Sequence, residues 1–371
     1  MTVCRSFLIV ALLFVSNSAI ATEAEQEARV YFPIEAIMPS AEQGDPDGQY
    51  YVGLLYDLGK GVQQNKIEAI KWYTKAAEQG NVFAQRSLGF MYAKGDGTPK
   101  NDKVAAMWFT KAAKQEDLKA QHNLGLMYLS GTGVPKDERE AVKWFTKAAK
   151  QGLAASQRVL GVLYSTGVGV LKNRVVAMKW NTKAAEQGVV EAQTSLGMAY
   201  NEGVVVPQSF GTAIKWYTKA AERGYAAAEY NLGYMYREGH GVPKNAEVAL
   251  MWITKAAEHG LGLAQYSLGV TFSDGVDVDR NYDISSMWYK KAAKQGDSKA
   301  QNNLGVSYVL GRGVLKNYVK AYMWFNLAAY NSQGNDGDYG RTEISKSLTP
   351  AQIVQAQEMS TRCLESAYDD C

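Results

Sequence analysis

The chain has 371 residues, 46% of them hydrophobic and 21% charged, with a formal net charge of +3. That balance excludes a disordered or collagen-like chain and requires a folded core. The near-neutral charge, with no clustering of Lys and Arg on one face, excludes the footprint of a nucleic-acid binder.

Residues 1–21 differ from the rest. Arg5 precedes an apolar run from Phe7 to Val15, which leads through Ser16 to Ser18 into the small-residue end Ala19-Ile20-Ala21. This pattern predicts a secretory signal peptide cleaved after Ala21, and so a periplasmic or secreted product. The alternative is a membrane anchor, but the run is too short for a bilayer that needs about 20 apolar residues, and no longer apolar run follows. Cys4 lies ahead of the run and would leave with it, which argues against lipid anchoring. Loss of Arg5 leaves a net charge of about +2.

Residues 22–45 are expected to cap the N-terminal end. They carry "AEQGD" at Ala41, one period before "AEQGN" at Ala77, and read as a lone helix with Ala36 where a tryptophan would stand.

From 46 to 333 the chain keeps a fixed period. All eight tryptophans, Trp72, Trp108, Trp144, Trp180, Trp216, Trp252, Trp288 and Trp324, stand 36 residues apart. The same spacing links Gly53 through Gly89 to Gly305. A fixed period of this size marks a repeat array in which each unit buries its apolar face only against its neighbours. Each unit reads as two helices. In the second unit, Ala84, Leu88, Met91 and Tyr92 share a face of the first helix, and Gly95 supplies the positive φ that a helix end prefers. A short oxygen-bearing residue opens every second helix: Asn65, Asn101, Asp137, Asn173, Ser209, Asn245, Asn281 and Asn317. Along that helix Ala69, Trp72 and Ala76 form the apolar stripe. A mid-helix glycine costs about 1 kcal/mol relative to alanine. The gain expected from Gly89 is close approach of the partner helix with its Ala76 and Ala77, the large Trp72 ring filling the space that small residues leave elsewhere. Gln85, Gln121, Gln157 and Gln193 form a nearly uniform column that reads as a structural ladder.

Residues 334–371 are expected to hold a loop and a capping helix. Leu327 replaces the lysine of its column, so something should cover that position. Thr349-Pro350-Ala351-Gln352 is a helix-start signature, and the helix it opens would turn Ile353, Ala356, Met359, Cys363 and Leu364 inward. Cys363 and Cys371 are the only cysteines left after cleavage, and an exported compartment lets them pair. The alternative, a redox or metal site, has no CxxC and no histidine cluster behind it.

The third unit carries Ala120, Leu124-Gly125, Tyr128, Gly131-Thr132-Gly133-Val134, Ala141, Trp144-Phe145 and Lys147-Ala148-Ala149. With these residues the array resembles the Sel1-like repeat family, relatives of the tetratricopeptide repeats. Departures are local: Glu116 replaces the helix-ending glycine, Phe272 the tyrosine, and Val205 and Asp277 the second loop glycine. The resemblance implies an all-α fold, a right-handed superhelical α-solenoid whose first helices line the concave side. It also implies a protein-binding scaffold or adaptor, in envelope assembly, signalling or host-cell contact, without choosing among these.

Two first-helix columns vary freely and are the candidate groove. One includes Arg86, His122, Arg158, Tyr230 and Tyr266; the other, four residues on and so on the same face, includes Phe90, Leu126, Met198 and Tyr234. They predict a groove basic toward the N-terminal half and tyrosine-rich toward the C-terminal half, suited to a protein partner because Tyr and Arg dominate binding hot spots. The rival for the second column is ordinary core, and for the first, solvated surface. The runner-up function is a glycan or peptidoglycan reader stacking sugars on Tyr230, Tyr234 and Tyr266. Some cysteine-rich relatives of the family are associated with β-lactam binding or hydrolysis. This chain lacks the SxxK and GxSxG spacings of an acyl enzyme and the paired cysteines of those repeats. No catalytic residue, metal site or cofactor is expected, His240 reads as an exposed loop tip, and a monomer is favoured.

Overall fold

A computed structural model describes residues 33–371; the expected signal peptide lies outside them. The described residues form nineteen helices and no strand. The described residues divide into two compact units, the first ending at Ala192 and the second running Gln193–Cys371. The first holds α1 (Ile34–Glu42), α2 (Pro46–Leu58), α3 (Lys66–Glu78), α4 (Val82–Lys94), α5 (Asp102–Lys114), α6 (Leu118–Ser130), α7 (Glu138–Lys150), α8 (Ala154–Thr166) and α9 (Arg174–Glu186). The division falls within α10 (Val190–Glu202). The second holds α11 (Phe210–Ala221), α12 (Ala226–Glu238), α13 (Ala246–Glu258), α14 (Gly262–Asp274), α15 (Tyr282–Ala293), α16 (Ser298–Leu310), α17 (Tyr318–Ser332), α18 (Asp338–Ser345) and α19 (Pro350–Glu365). Even-numbered helices from α2 to α16 open a repeat and the following odd-numbered helix closes it. Within each unit, successive helices pack on one another, which is the arrangement of an α-solenoid.

Local chemistry places the helix ends where the repeat needs them. The Asn, Asp or Ser that opens each second helix accepts a backbone N–H with its side chain in all eight copies. First helices such as α4 and α6 end on left-handed glycines, Gly95 and Gly131, whose N–H closes the last turn. Of six non-glycine residues with positive φ among the described residues, three stand in glycine columns of the repeat: Glu116 at 69°, Val205 at 81° and Asp277 at 63°. Val205 is β-branched, so its backbone is strained there.

Close approach to the mid-helix glycine is made by an aromatic ring of the following helix, where the Ala76–Ala77 helix was expected. A Cβ on Gly89 would lie 2.6 Å from the ring of Phe109, the residue after the tryptophan. Phe145 stands in the same relation to Gly125, and Tyr217 to Gly197. The missing methyl therefore admits an aromatic ring, and burying that ring, worth about 1.5–3 kcal/mol, more than offsets the glycine's cost of about 1 kcal/mol. The tryptophans pack beyond it: Trp108 joins a core cluster with Leu88 and Met91, and Trp144 one with Leu124 and Met127. In seven repeats a lysine ammonium lies over the tryptophan ring, 4.0–5.2 Å from its centroid, closing the ring's outer face.

The eighth repeat is closed by chain instead. Leu327, in the lysine column, is fully buried and Trp324 is 1% exposed. Helix α19 covers them, turning Ala356, Ser360 and Cys363 inward while Ile353, Met359 and Leu364 pack partly against the same core. The Thr349–Gln352 capping box is formed, and Ser360 Oγ donates to the Met323 carbonyl at 3.3 Å. Cys363 and Cys371 are joined by a disulfide that ties the tail to this helix. The expected loop lies between α17, which ends at Ser332, and α18, which begins at Asp338 and whose Gly340 sits against the Phe325 ring.

Candidate interaction surface

The glutamine column is a ladder of inter-repeat hydrogen bonds. Gln85 Nε2 donates to the Ala77 carbonyl at 3.0 Å, while its Oε1 accepts from Gln115 Nε2 of the following helix end at 2.8 Å. The pattern recurs at Gln49–Gln79, Gln121–Gln151 and Gln157–Gln187 in the first unit and at Gln265–Gln295 in the second. These amides are nearly inaccessible, and an amide suits the place because it donates and accepts at once. The sixth repeat departs from the rule. Glu229, 1% exposed, takes the column, and His259 Nδ1 meets its Oε2 at 2.8 Å. No glutamine pair in the sequence hints at this substitution until the two columns, 30 residues apart, are read together.

The candidate groove residues fall into two groups. In the first unit the expected basic surface is largely consumed by contacts between repeats. Arg86 Nη1 binds Asp117 Oδ2 at 2.7 Å, its guanidinium also lies 5.2 Å from the Phe83 ring centroid, and its side chain is 15% exposed. Arg158 Nε lies 3.7 Å from Glu191 Oε2. His122 is 4% exposed, with Nδ1 2.8 Å from Ser156 Oγ and its ring edge-on to Phe145. Burial holds its imidazolium down to a pKa of about 4. Leu126 is buried, and Phe90 is half-buried with its ring edge-on to Phe109. Each polar member of this column thus reaches the start of the next first helix. The 31- to 34-residue spacing to Asp117, Ser156 and Glu191 was the signal available in the sequence.

In the second unit the groove residues stay more open. Met198 is 46% exposed. Tyr230 packs partly against the cluster around Ile253 and Leu268. Tyr234 lies under the Arg237 guanidinium, 5.4 Å from its centroid, and edge-on to His240. His240 itself is half-buried and stacked on Phe210 at 4.8 Å, so it is a packed side chain where an exposed loop tip was expected. Tyr266 is half-buried beside Tyr289, with ring centroids 6.1 Å apart. Among the described residues, no group of three or more His, Cys, Asp or Glu side chains is placed to hold a metal ion, and no helix is long and apolar enough to cross a membrane.

Helix pairs at a fixed period, tied by buried amides and closed by a capping helix, define an α-solenoid repeat protein. The Sel1 repeat family model matches eight consecutive segments, 46–81, 82–117, 118–153, 154–189, 190–225, 226–261, 262–297 and 298–332, and the chain belongs to that family. Among solved structures it is similar to a Sel1 repeat protein from Oxalobacter formigenes, with 32% identity over 92% of this chain and 93% of that one and a TM-score of 0.71. It is also similar to c5321, a protective antigen of uropathogenic Escherichia coli strains with the same repeat fold, at 29% identity over 91% and 96% of the two chains and a TM-score of 0.47. No curated protein sequence matches. Proteins of this family are generally interaction scaffolds, and the fold is generally non-enzymatic.

Proposed function

We propose that this chain is a non-enzymatic scaffold of the bacterial envelope or extracellular space that holds a protein partner along its first-helix face. The observation that carries the reading is the contrast between the columns of those helices. One is a near-uniform amide ladder that the fold dictates, while the neighbouring columns change residue type at almost every repeat and leave Met198, Tyr230, Tyr234 and Tyr266 partly open in the second unit. A surface the fold does not dictate, and that offers tyrosine, is suited to recognition. The disulfide between Cys363 and Cys371 supports export, since such bonds persist in oxidising compartments.

Crosslinking and mass spectrometry in the native organism, with sedimentation of the purified chain on cell wall, tests the reading. The expected result is a protein crosslinked to residues of α12 and α14 and lost from the paired change Tyr230→Ala with Tyr234→Ala. Partition with the cell wall and no crosslinked protein would overturn it in favour of a glycan reader.

A further inference from the structure

In six of the eight repeats an aromatic ring rests on the mid-helix glycine, as Tyr73 does on Gly53 and Tyr289 on Gly269. The exceptions are Asn181 in the fourth repeat and Ile253 in the sixth, where a Cβ on Gly233 would lie 2.7 Å from Ile253 Cγ1. Isoleucine reaches the glycine and ends there. A tyrosine in this column goes further, since the Tyr73 hydroxyl donates to Oδ2 of Asp57, in the last turn of α2, at 3.2 Å. Arg237 stands at the Asp57 position of the sixth repeat, and it and Ile253 together line a cavity of about 330 Å³. The cavity therefore lies where the outer part of the missing ring would be.

The columns that meet this ring elsewhere are aromatic in the sixth repeat as well. Tyr50 stacks on Tyr73 with centroids 5.7 Å apart, Tyr266 stands 6.1 Å from Tyr289, and Phe90 meets Phe109 edge-on at 5.1 Å. The sixth repeat carries Tyr230 and Tyr234 in those columns, with Ile253 in place of the ring. Leu250 and Ile253 of α13 and Val270 of α14 give the cavity an apolar wall. Its charged groups are of both signs, Arg237 and Lys244 against Glu238, Asp274 and Asp277. Arg237 Nε pairs with Glu238 Oε1 at 3.0 Å, and its guanidinium lies 5.4 Å from the Tyr234 ring centroid, which joins the cavity to the candidate groove. Two cations and three carboxylates leave no strong field of either sign, so an uncharged guest suits the place better than an ion. A phenol matches it in each part: an apolar ring for the wall, a ring face for the guanidinium, and a hydroxyl that can donate to a carboxylate as Tyr73 does to Asp57.

We propose that this cavity is a binding site for a phenol ring, filled by a tyrosine side chain of the partner protein in the place that Tyr73 and Tyr289 take within their own repeats. The inference rests on the reading of the chain as a protein-binding scaffold and specifies what the partner inserts. The volume falls at the low end of the range for ligand pockets, about 300–1,000 Å³, which suits a single side chain. Tyrosine is preferred to phenylalanine because a ring without a hydroxyl would cover the polar groups of the wall and leave them unpaired. An aromatic anchor in a pocket beside a groove is also the usual form of a binding hot spot.

Saturation-transfer NMR of the purified chain with p-cresol, the side-chain analogue of tyrosine, tests the site, with toluene as the comparator. p-Cresol is expected to bind and toluene to bind more weakly. Ile253→Tyr supplies the ring from within, so it is expected to abolish p-cresol binding while the melting temperature is held or raised. Val270→Phe fills the same space from α14 and is expected to abolish binding too, which keeps the test open if the first variant does not fold. Asn181→Tyr, the same change in the other exceptional repeat, should leave p-cresol binding intact. No binding by the parent chain, or equal binding by the folded cavity-filling variants, overturns the proposal. Capture of the protein partner by crosslinking is expected to fall in Ile253→Tyr. Undiminished capture by that variant overturns this inference alone and leaves the scaffold reading standing, whereas the scaffold reading fails only if no protein is captured by the parent chain.

Discussion

His122 shows how a single side chain can look like surface in the sequence and act as core in the fold. Its neighbours in the column are arginines, yet it is enclosed and bonded to Ser156, with burial lowering its pKa from 6.5 to about 4. Above about pH 6.5 the imidazole is neutral in both folded and unfolded chains. As pH falls toward about 4 the unfolded chain takes up a proton that the folded chain refuses, so stability is fully present above the unfolded value and is lost through this window. The loss is about 1.4 kcal/mol per pH unit and about 3 kcal/mol in all. His122→Asn keeps a polar partner for Ser156 and removes the titration. Thermal melts from pH 7 to pH 4 are expected to show a shallower acid limb for the variant than for the parent; equal limbs would mean that His122 is not the group responsible.

At the scale of the element, the last repeat depends on being covered. In seven repeats a lysine closes the outer face of the tryptophan and can remain wet. In the eighth, Leu327 does so beneath α19 with no exposure. Leu327→Lys places an ammonium under that helix without a partner, and a loss of about 3–5 kcal/mol is expected. Denaturant unfolding followed by far-UV circular dichroism measures it. Limited proteolysis should show α19 released first, because the disulfide ties the tail to α19 and not to the array. The apolar residue in a lysine column was legible in the sequence, as was the Thr-Pro-x-Gln start of the covering helix. Helix α18 was not, because only Ile344 of its eight residues is buried, which leaves too little periodicity to detect.

For the whole molecule, a repeat array gains stability from each unit and from each interface between neighbours. Deleting residues 118–153, one complete repeat, joins Asp117 to Ala154 in register. The expected product keeps its mean residue ellipticity and melts cooperatively at a somewhat lower temperature. Deleting only 118–135 leaves α7 without α6, the first helix of its own repeat, and broad, early melting is expected from calorimetry. Matching melts from the two deletions would contradict repeat-by-repeat assembly.

The period, the two-helix unit, the caps and the amide ladder were determined by sequence alone, because each follows from local backbone needs repeated in register: a capping oxygen, a left-handed glycine, a glutamine that both donates and accepts. Two features were decided only by tertiary structure. What rests on Gly89 is the Phe109 ring and not the helix of Ala76 and Ala77. Arg86 and Arg158 are bound to carboxylates of the following repeat. In each case the deciding partner lies on another helix, 20 to 33 residues away in sequence, and whether a charge is spent or free depends on that partner's position in space and not on the residue itself.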